Sequence, residues 1–142
     1  MAQANLVNDR LTIDTSWDNI VIVDNFQSIR GGYTLDTTGF TPTFIRAGHP
    51  IIEETATGIL KPMPVSNATT FAALPAGHTY AGVAIHSDFT KRPMAGITVR
   101  GTVNHIAFTN ASAAGKEGYY SYTPILAAIK AALPLVDFRG DR

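Results

Sequence analysis

Met94-Ala-Gly-Ile-Thr-Val-Arg-Gly-Thr-Val-Asn-His-Ile-Ala-Phe108 is the stretch whose reading decides the fold. Ile97, Val99 and Val103 fall on one phase of a two-residue period, and Thr98, Arg100 and Thr102 fall on the other. Successive side chains of a strand point to opposite faces, so this alternation describes a half-buried strand. After Val103 the apolar phase inverts, because Ile106 and Phe108 occupy the other parity. A bulge, a corner or a switch between sheets would account for that, since one extra residue turns every later side chain over. Gly101 stands just before the change, where a backbone can bend or approach a neighbour closely.

Outward from this strand the chain keeps the same character. Toward the N-terminus, residues 79–85 read as a buried small-residue strand. Residues 43–52 read as strand, turn and strand. Residues 59–65 read as an edge strand or an extended connector, because Pro62 and Pro64 cannot donate to a ladder. Residues 11–13 and Ile20 to Asp24 read as two further short strands around an Asp14–Asn19 turn. Arg30-Gly-Gly-Tyr33 interrupts the pattern as a hinge, tight turn or linker, and no Gly-Lys-Ser/Thr follows it as a phosphate loop requires. A soft boundary follows, with residues 1–42 as an N-terminal arm and strand segment and residues 43–142 as the main β domain.

Toward the C-terminus, residues 109–118 read as a loop of small residues. A helix follows, with Thr123 as N-cap and Pro124 at its first position. Ile125, Leu126, Ile129, Ala132 and Leu133 recur at helical spacing, and Pro134 ends the run. Residues 135–138 can add a last strand. The expected fold is mostly β: a small sandwich or barrel-like, β-tulip-like domain with one C-terminal helix and an extended N-terminal arm.

Composition narrows the function classes. The 142 residues carry eleven basic and eleven acidic side chains and no cysteine. No net field points to nucleic acid or an anionic membrane. Disulfides, thiolate metal sites and cysteine nucleophiles are excluded. No apolar run reaches the length that crosses a bilayer, and the first residues are polar where a signal peptide is apolar. A soluble protein that is not secreted by the usual route is the expectation.

The chemistry-bearing residues do not assemble into a known motif. His49, His78, His86 and His105 have no ligand spacing, so no metal and no cofactor is expected. Ser87 and Asp88 beside His86 form a trio of adjacent residues that point apart on an extended chain, and Gly-x-Ser-x-Gly is absent. Glu53 and Glu54 have the same difficulty as an acid/base pair. No catalytic residue is assigned. Trp17, the only tryptophan, either covers one end of the core or stands as an anchor for a partner.

The ordered series of pieces resembles a known family. Residues 45–52, 58–65 and 81–85, the Ile97-Thr-Val-Arg-Gly-Thr-Val-Asn104 strand and the Ile129-Lys-Ala-Ala-Leu-Pro134 helix are together similar to the lambda-type head decoration proteins of tailed bacteriophages. The resemblance spans roughly residues 43 to 138. It implies a capsid decoration, or cement, protein made in the host cytoplasm and carried on the outer surface of the virion. There it would sit as a homotrimer at three-fold and quasi-three-fold positions, bind the major capsid protein and stabilise the lattice, with no nucleic acid or membrane as partner. It further implies that the N-terminal arm meets the capsid, frequently by strand addition. The residues before 43 depart from the family pattern. Leu11, Ile13, Trp17, Ile20 and Ile22 are the expected capsid or trimer contacts, and the body is expected to fold without residues 1–24. Two other classes stand beside this: a receptor- or glycan-binding fibre module using Tyr119, Tyr120 and Tyr122, and a small hydrolase using His86 or His105.

Overall fold

The computed structural model describes residues 12–140. In chain order they form helix α1 (Asp18–Val21), strands β1 (Ile22–Thr34), β2 (Phe44–Ile45), β3 (Pro50–Glu54), β4 (Leu60–Pro62), β5 (His78–Ala84), β6 (Asp88–Phe89) and β7 (Met94–Asn104), helices α2 (His105–Ala113) and α3 (Leu126–Ala132), and strand β8 (Val136–Arg139). Strand predominates over helix, so the fold is mostly β. The main sheet runs β1-β7-β5-β3-β4, with β8 also paired to β7, while β2 and β6 make a separate pair. It does not close into a barrel.

The opening stretch becomes β7, the strand to which the others are hung. β1 lies antiparallel along one edge, from Ile22 opposite Val103 to Thr34 opposite Met94. Two partners share the other edge. β5 takes Ile97 and Thr98, and β8 runs parallel beside Gly101 to Asn104. The strand of the 1–42 segment therefore lies in the same sheet as β3, β4, β5, β7 and β8 of 43–142.

The inversion of phase after Val103 comes from the end of the strand, and a separate bulge lies earlier within it. Ser28 pairs with Thr98 and Gln27 with Arg100, which leaves Val99 as an extra residue on β7. This bulge turns the strand over, so Ile97 and Val103, of equal parity, serve different core clusters. Past Val103 the strand simply ends. The Asn104 side chain accepts a hydrogen bond from the Ala107 N–H at 3.0 Å and starts α2. Asn104→Ala is expected to cost about 1 kcal/mol, as loss of an N-cap does, read as a lower urea midpoint with unchanged slope.

Gly101 makes the close approach its position suggests. A Cβ there would lie 2.3 Å from the Asp24 carbonyl oxygen, and backbone cannot swing aside as a side chain can. Gly101→Ala is expected to cost about 2 kcal/mol and to raise amide exchange along β1 selectively.

Adjacent residues on the strands serve opposite faces. Ile52 and Val83 join the larger cluster with Met63, Phe71, Phe108, Tyr122 and Ile129, while Ile51 and Ala84 join Leu35, Ile45, Leu60 and Ile97. Period-two pointing produces this division, and both faces of the central sheet are consequently covered. β4 is the sheet edge, in keeping with Pro62 inside it.

Several local expectations are corrected. Ile20 and Val21 belong to the one-turn helix α1 rather than to a strand. Asp18 fixes that turn, accepting from the Ser87 backbone N–H at 2.9 Å and hydroxyl at 2.5 Å. No strand includes residues 12 and 13. Gly31 and Gly32 lie inside β1, where residues 30–32 are spread against the single residue Gly96. Much of the loop expected at 109–118 is the second half of α2, which closes Ala107, Phe108, Ala111 and Ser112 into the core. The late helix begins at Leu126 with Ile125 as its N-cap residue, so Thr123 and Pro124 precede it. Ile125, Ile129 and Leu133 form its buried stripe.

Candidate functional site

The residues expected to make contacts begin before β1, and the structure separates them. Leu11 lies outside the described residues. Ile13 is half-buried. Trp17 packs against the larger core cluster, its ring 6.5 Å from that of Tyr119 and 5.4 Å from the Lys116 ammonium. Ile22 also packs against that cluster, opposite Val103. Ile20 alone of the described four is largely exposed, at 49%.

Val21, between the last two, is completely buried and contacts the Gly48 backbone closely. The expectation that the body folds without residues 1–24 meets a cost on this ground. Such a deletion removes a core side chain and the Asp18 carboxylate that holds Ser87.

Two side chains that the alternation misses dominate the surface here. Ile22 pairs with Val103 and Asp24 with Thr102, so Val23 has no partner on β7. Asn25 pairs with Gly101 and Gln27 with Arg100, so Phe26 has none either. Both are bulge residues, and a bulge re-aims its side chain. Val23 is 51% exposed and Phe26 71%. The sequence of β1 carries no signal for either, because their exposure depends on how β1 pairs with β7.

Behind this surface, Arg46 ties the segment before α1 to the core. Its guanidinium donates to the Asp14 carbonyl at 2.6 Å and the Glu117 carbonyl at 2.9 Å, and lies 4.4 Å from the Phe44 ring centre. Lys116 adds an ion pair with Asp14 at 3.7 Å. A hydrogen bond from Ser16 holds the Asp14 carboxyl below its ordinary pKa, ahead of the charges of Lys116 and Arg46.

The four histidines do not converge, and among the described residues no group of three or more His, Cys, Asp or Glu is placed to hold a metal. His49 is fully buried; its Nε2 meets the Met63 carbonyl at 2.9 Å and its Nδ1 has no partner. Burial pushes it down to about 4. His78 holds the Ala76 carbonyl at 2.9 Å. His86 is exposed, and Ser87 beside it is engaged by Asp18 and by the Ala47 N–H instead. His105 opens α2, lowered by burial and then by Lys130. Glu54 pairs with Lys61 at 3.7 Å rather than with Glu53.

Tyr119, Tyr120 and Tyr122 are all buried, and the Tyr122 hydroxyl donates to the Gly48 carbonyl. Burial raises all three phenols. They present no exposed aromatic cluster of the kind a glycan-binding surface uses.

The segment from Phe40 to Thr43 divides three clefts. One of about 270 Å³ lies between Phe40, Pro62, Pro75 and His78. A second of about 600 Å³ lies between Pro42, Ser66, Thr69 and Lys116. The third, about 290 Å³, is lined by Phe40, Pro42, Phe89 and three threonines with Lys91 at the side. The chemistry these surfaces offer is contact chemistry: exposed apolar side chains on one strand, and a small apolar cleft elsewhere.

No known protein family, no curated relative and no solved structure matches the chain.

Proposed function

We propose that the protein is a capsid decoration protein, bound as trimers to the outer surface of a mature phage head and stabilising the lattice by bridging neighbouring subunits. The observation that carries this reading is the ordered sequence resemblance between residues 43 and 138, above all Val99-Arg-Gly-Thr-Val103 followed by Ile129-Lys-Ala-Ala-Leu-Pro134. In the fold the first piece lies in the central strand β7, and the second covers the end of α3 with Ile129 and Leu133 buried. A mostly β domain with exposed Ile20, Val23 and Phe26 at one edge is consistent with a role made of contacts.

The mechanism is mechanical. Each protomer binds weakly, and simultaneous contacts from a trimer raise the avidity of the whole. Binding across subunit boundaries favours the assembled lattice by mass action and so opposes the pressure of packaged DNA.

Quantitative mass spectrometry of purified virus particles, scaled to the major capsid protein, tests the proposal. A copy number near that of the capsid protein is the expected result. A few copies per particle would assign the chain to a fibre or tail, and absence from particles would remove the reading.

A further inference from the structure

We propose that copies of this protein join head to tail, with Phe26 of one copy set into the cleft between Phe40, Pro42 and Phe89 of the next. The inference deepens the trimeric reading above and rests on it only for the number of copies in the closed ring.

Phe26 is the most exposed large apolar side chain among the described residues, and it stands on a bulge that leaves it without a neighbour on β7. With Val23 and Ile20 it offers on the order of 300 Å² of apolar surface, well short of the roughly 800 Å² per partner of a stable interface. Two such patches meeting about a two-fold axis would therefore hold poorly. An aromatic anchor in a fitted pocket achieves more per unit area, and this chain carries a pocket of that size. The cleft is lined by Phe40, Pro42 and Phe89 together with Thr41, Thr43 and Thr90.

The charges agree. Asp24 stands two residues before Phe26 in β1, and Arg100 pairs with Gln27, the residue after it. Beside the cleft stand Lys91 in its lining and Asp88, next to Phe89 in β6. Among the described residues none of these four takes part in an ion pair. Knob and cleft each carry one acidic and one basic neighbour, so Asp24 can meet Lys91 and Arg100 can meet Asp88. Knob and cleft are different surfaces of one chain, so the contact is heterologous and closes into a ring when its rotation permits. Each copy then holds two junctions, which compensates for the small area of each.

The absence of cysteine makes the test clean. Asn25→Cys places a thiol beside the knob and Arg92→Cys one beside the cleft. The two variants are mixed at high concentration with a short thiol-reactive crosslinker. The expected result is a crosslink between the two variants, with little in either alone. Adding Phe26→Ser to the first variant, or cleft-filling Thr90→Trp to the second, should reduce its yield at least about tenfold. Circular dichroism confirms that both altered proteins remain folded.

Crosslinking of Asn25→Cys with itself would overturn the proposal in favour of a symmetric contact. No crosslink in any mixture would overturn it as well. Particle copy number is read independently, so capsid stoichiometry without the mixed crosslink would sink the Phe26 junction and leave decoration standing.

Discussion

At pH 4 the folded state is expected to have lost roughly 3 kcal/mol relative to pH 7 through a single buried imidazole. His49 is fully enclosed, with the rings of Phe40, Phe71 and Tyr120 within 6.0 Å, and desolvation outweighs the Met63 hydrogen bond in pushing it from 6.5 down to about 4. Between those two values the unfolded chain binds a proton that the folded chain refuses. Stability is therefore complete above pH 6.5, declines as pH falls, and reaches its full loss below pH 4. Protonating Nδ1 in place would create a buried N–H with no acceptor, since that atom has no partner. Urea unfolding at pH 7, 5.5 and 4.5 reads the slope. His49→Phe should be less stable at pH 7, because the Met63 carbonyl loses its donor, yet markedly flatter across this window. His105, also lowered, is common to both proteins and cancels in the difference. The carboxylates of Asp14, Asp36 and Glu54, none of them buried, are held low by hydrogen bonds from Ser16, Thr38 and Thr57. Their stabilisation disappears at more acid pH. Equal slopes for the two proteins would overturn the assignment.

Phe108→Ala should cost about 4 kcal/mol, the range for deleting a large aromatic side chain from a core. Phe108 is inaccessible to solvent and stacks at 5.9 Å on Phe71, with Tyr119 at 5.0 Å and Tyr122 at 5.3 Å edge-on to it. Gly48 fits beneath it so closely that a Cβ there would come within 2.9 Å of the ring. The surrounding rings are held by their own contacts, so the space would not close. Asn110→Ala, on the exposed side of the same helix, should change stability by less than about 0.5 kcal/mol. A Phe108→Ala loss of similar size to that of Asn110→Ala would show that α2 is not a core element.

Phe108 also shows why part of this fold could not be read from the chain. Its parity relative to Val103 looked like a strand changing face, because one apolar residue every second position is ambiguous over so short a span. The decisive residue was Asn104, whose side chain competes with strand pairing by capping α2. The rest of that helix is Thr109, Asn110 and small residues, which resemble a loop until Ala111 and Ser112 are packed. By contrast, the β3, β4 and β5 segments and the final strand carried clear alternation, prolines and turns, and they occur where those signals place them. At the surface, Ile20 was legible as an apolar residue but not as an exposed one. Val23 and Phe26 depend on bulges in β1, and a bulge is a property of two paired strands that one strand's sequence does not reveal. Val99 is hidden for the same reason. The clefts beside Pro42 depend on how residues 36–43 cross the sheet and leave no periodic trace.

The sharing of one β7 edge by β5 and β8, with β1 along the other, has a kinetic consequence. β1 and β7 are some seventy positions apart in the chain, as Ser28 opposite Thr98 shows, and β8 arrives only after α2 and α3 have been threaded. Hairpins such as β3–β4 can close early, whereas the central strand gains most of its hydrogen bonds only when distant segments find it. Loop closure of that length precedes the pairing that rewards it, so this chain belongs with slow, millisecond-to-second folders. Until that search ends, β7 has two unsatisfied edges, and association between unfinished chains competes with folding.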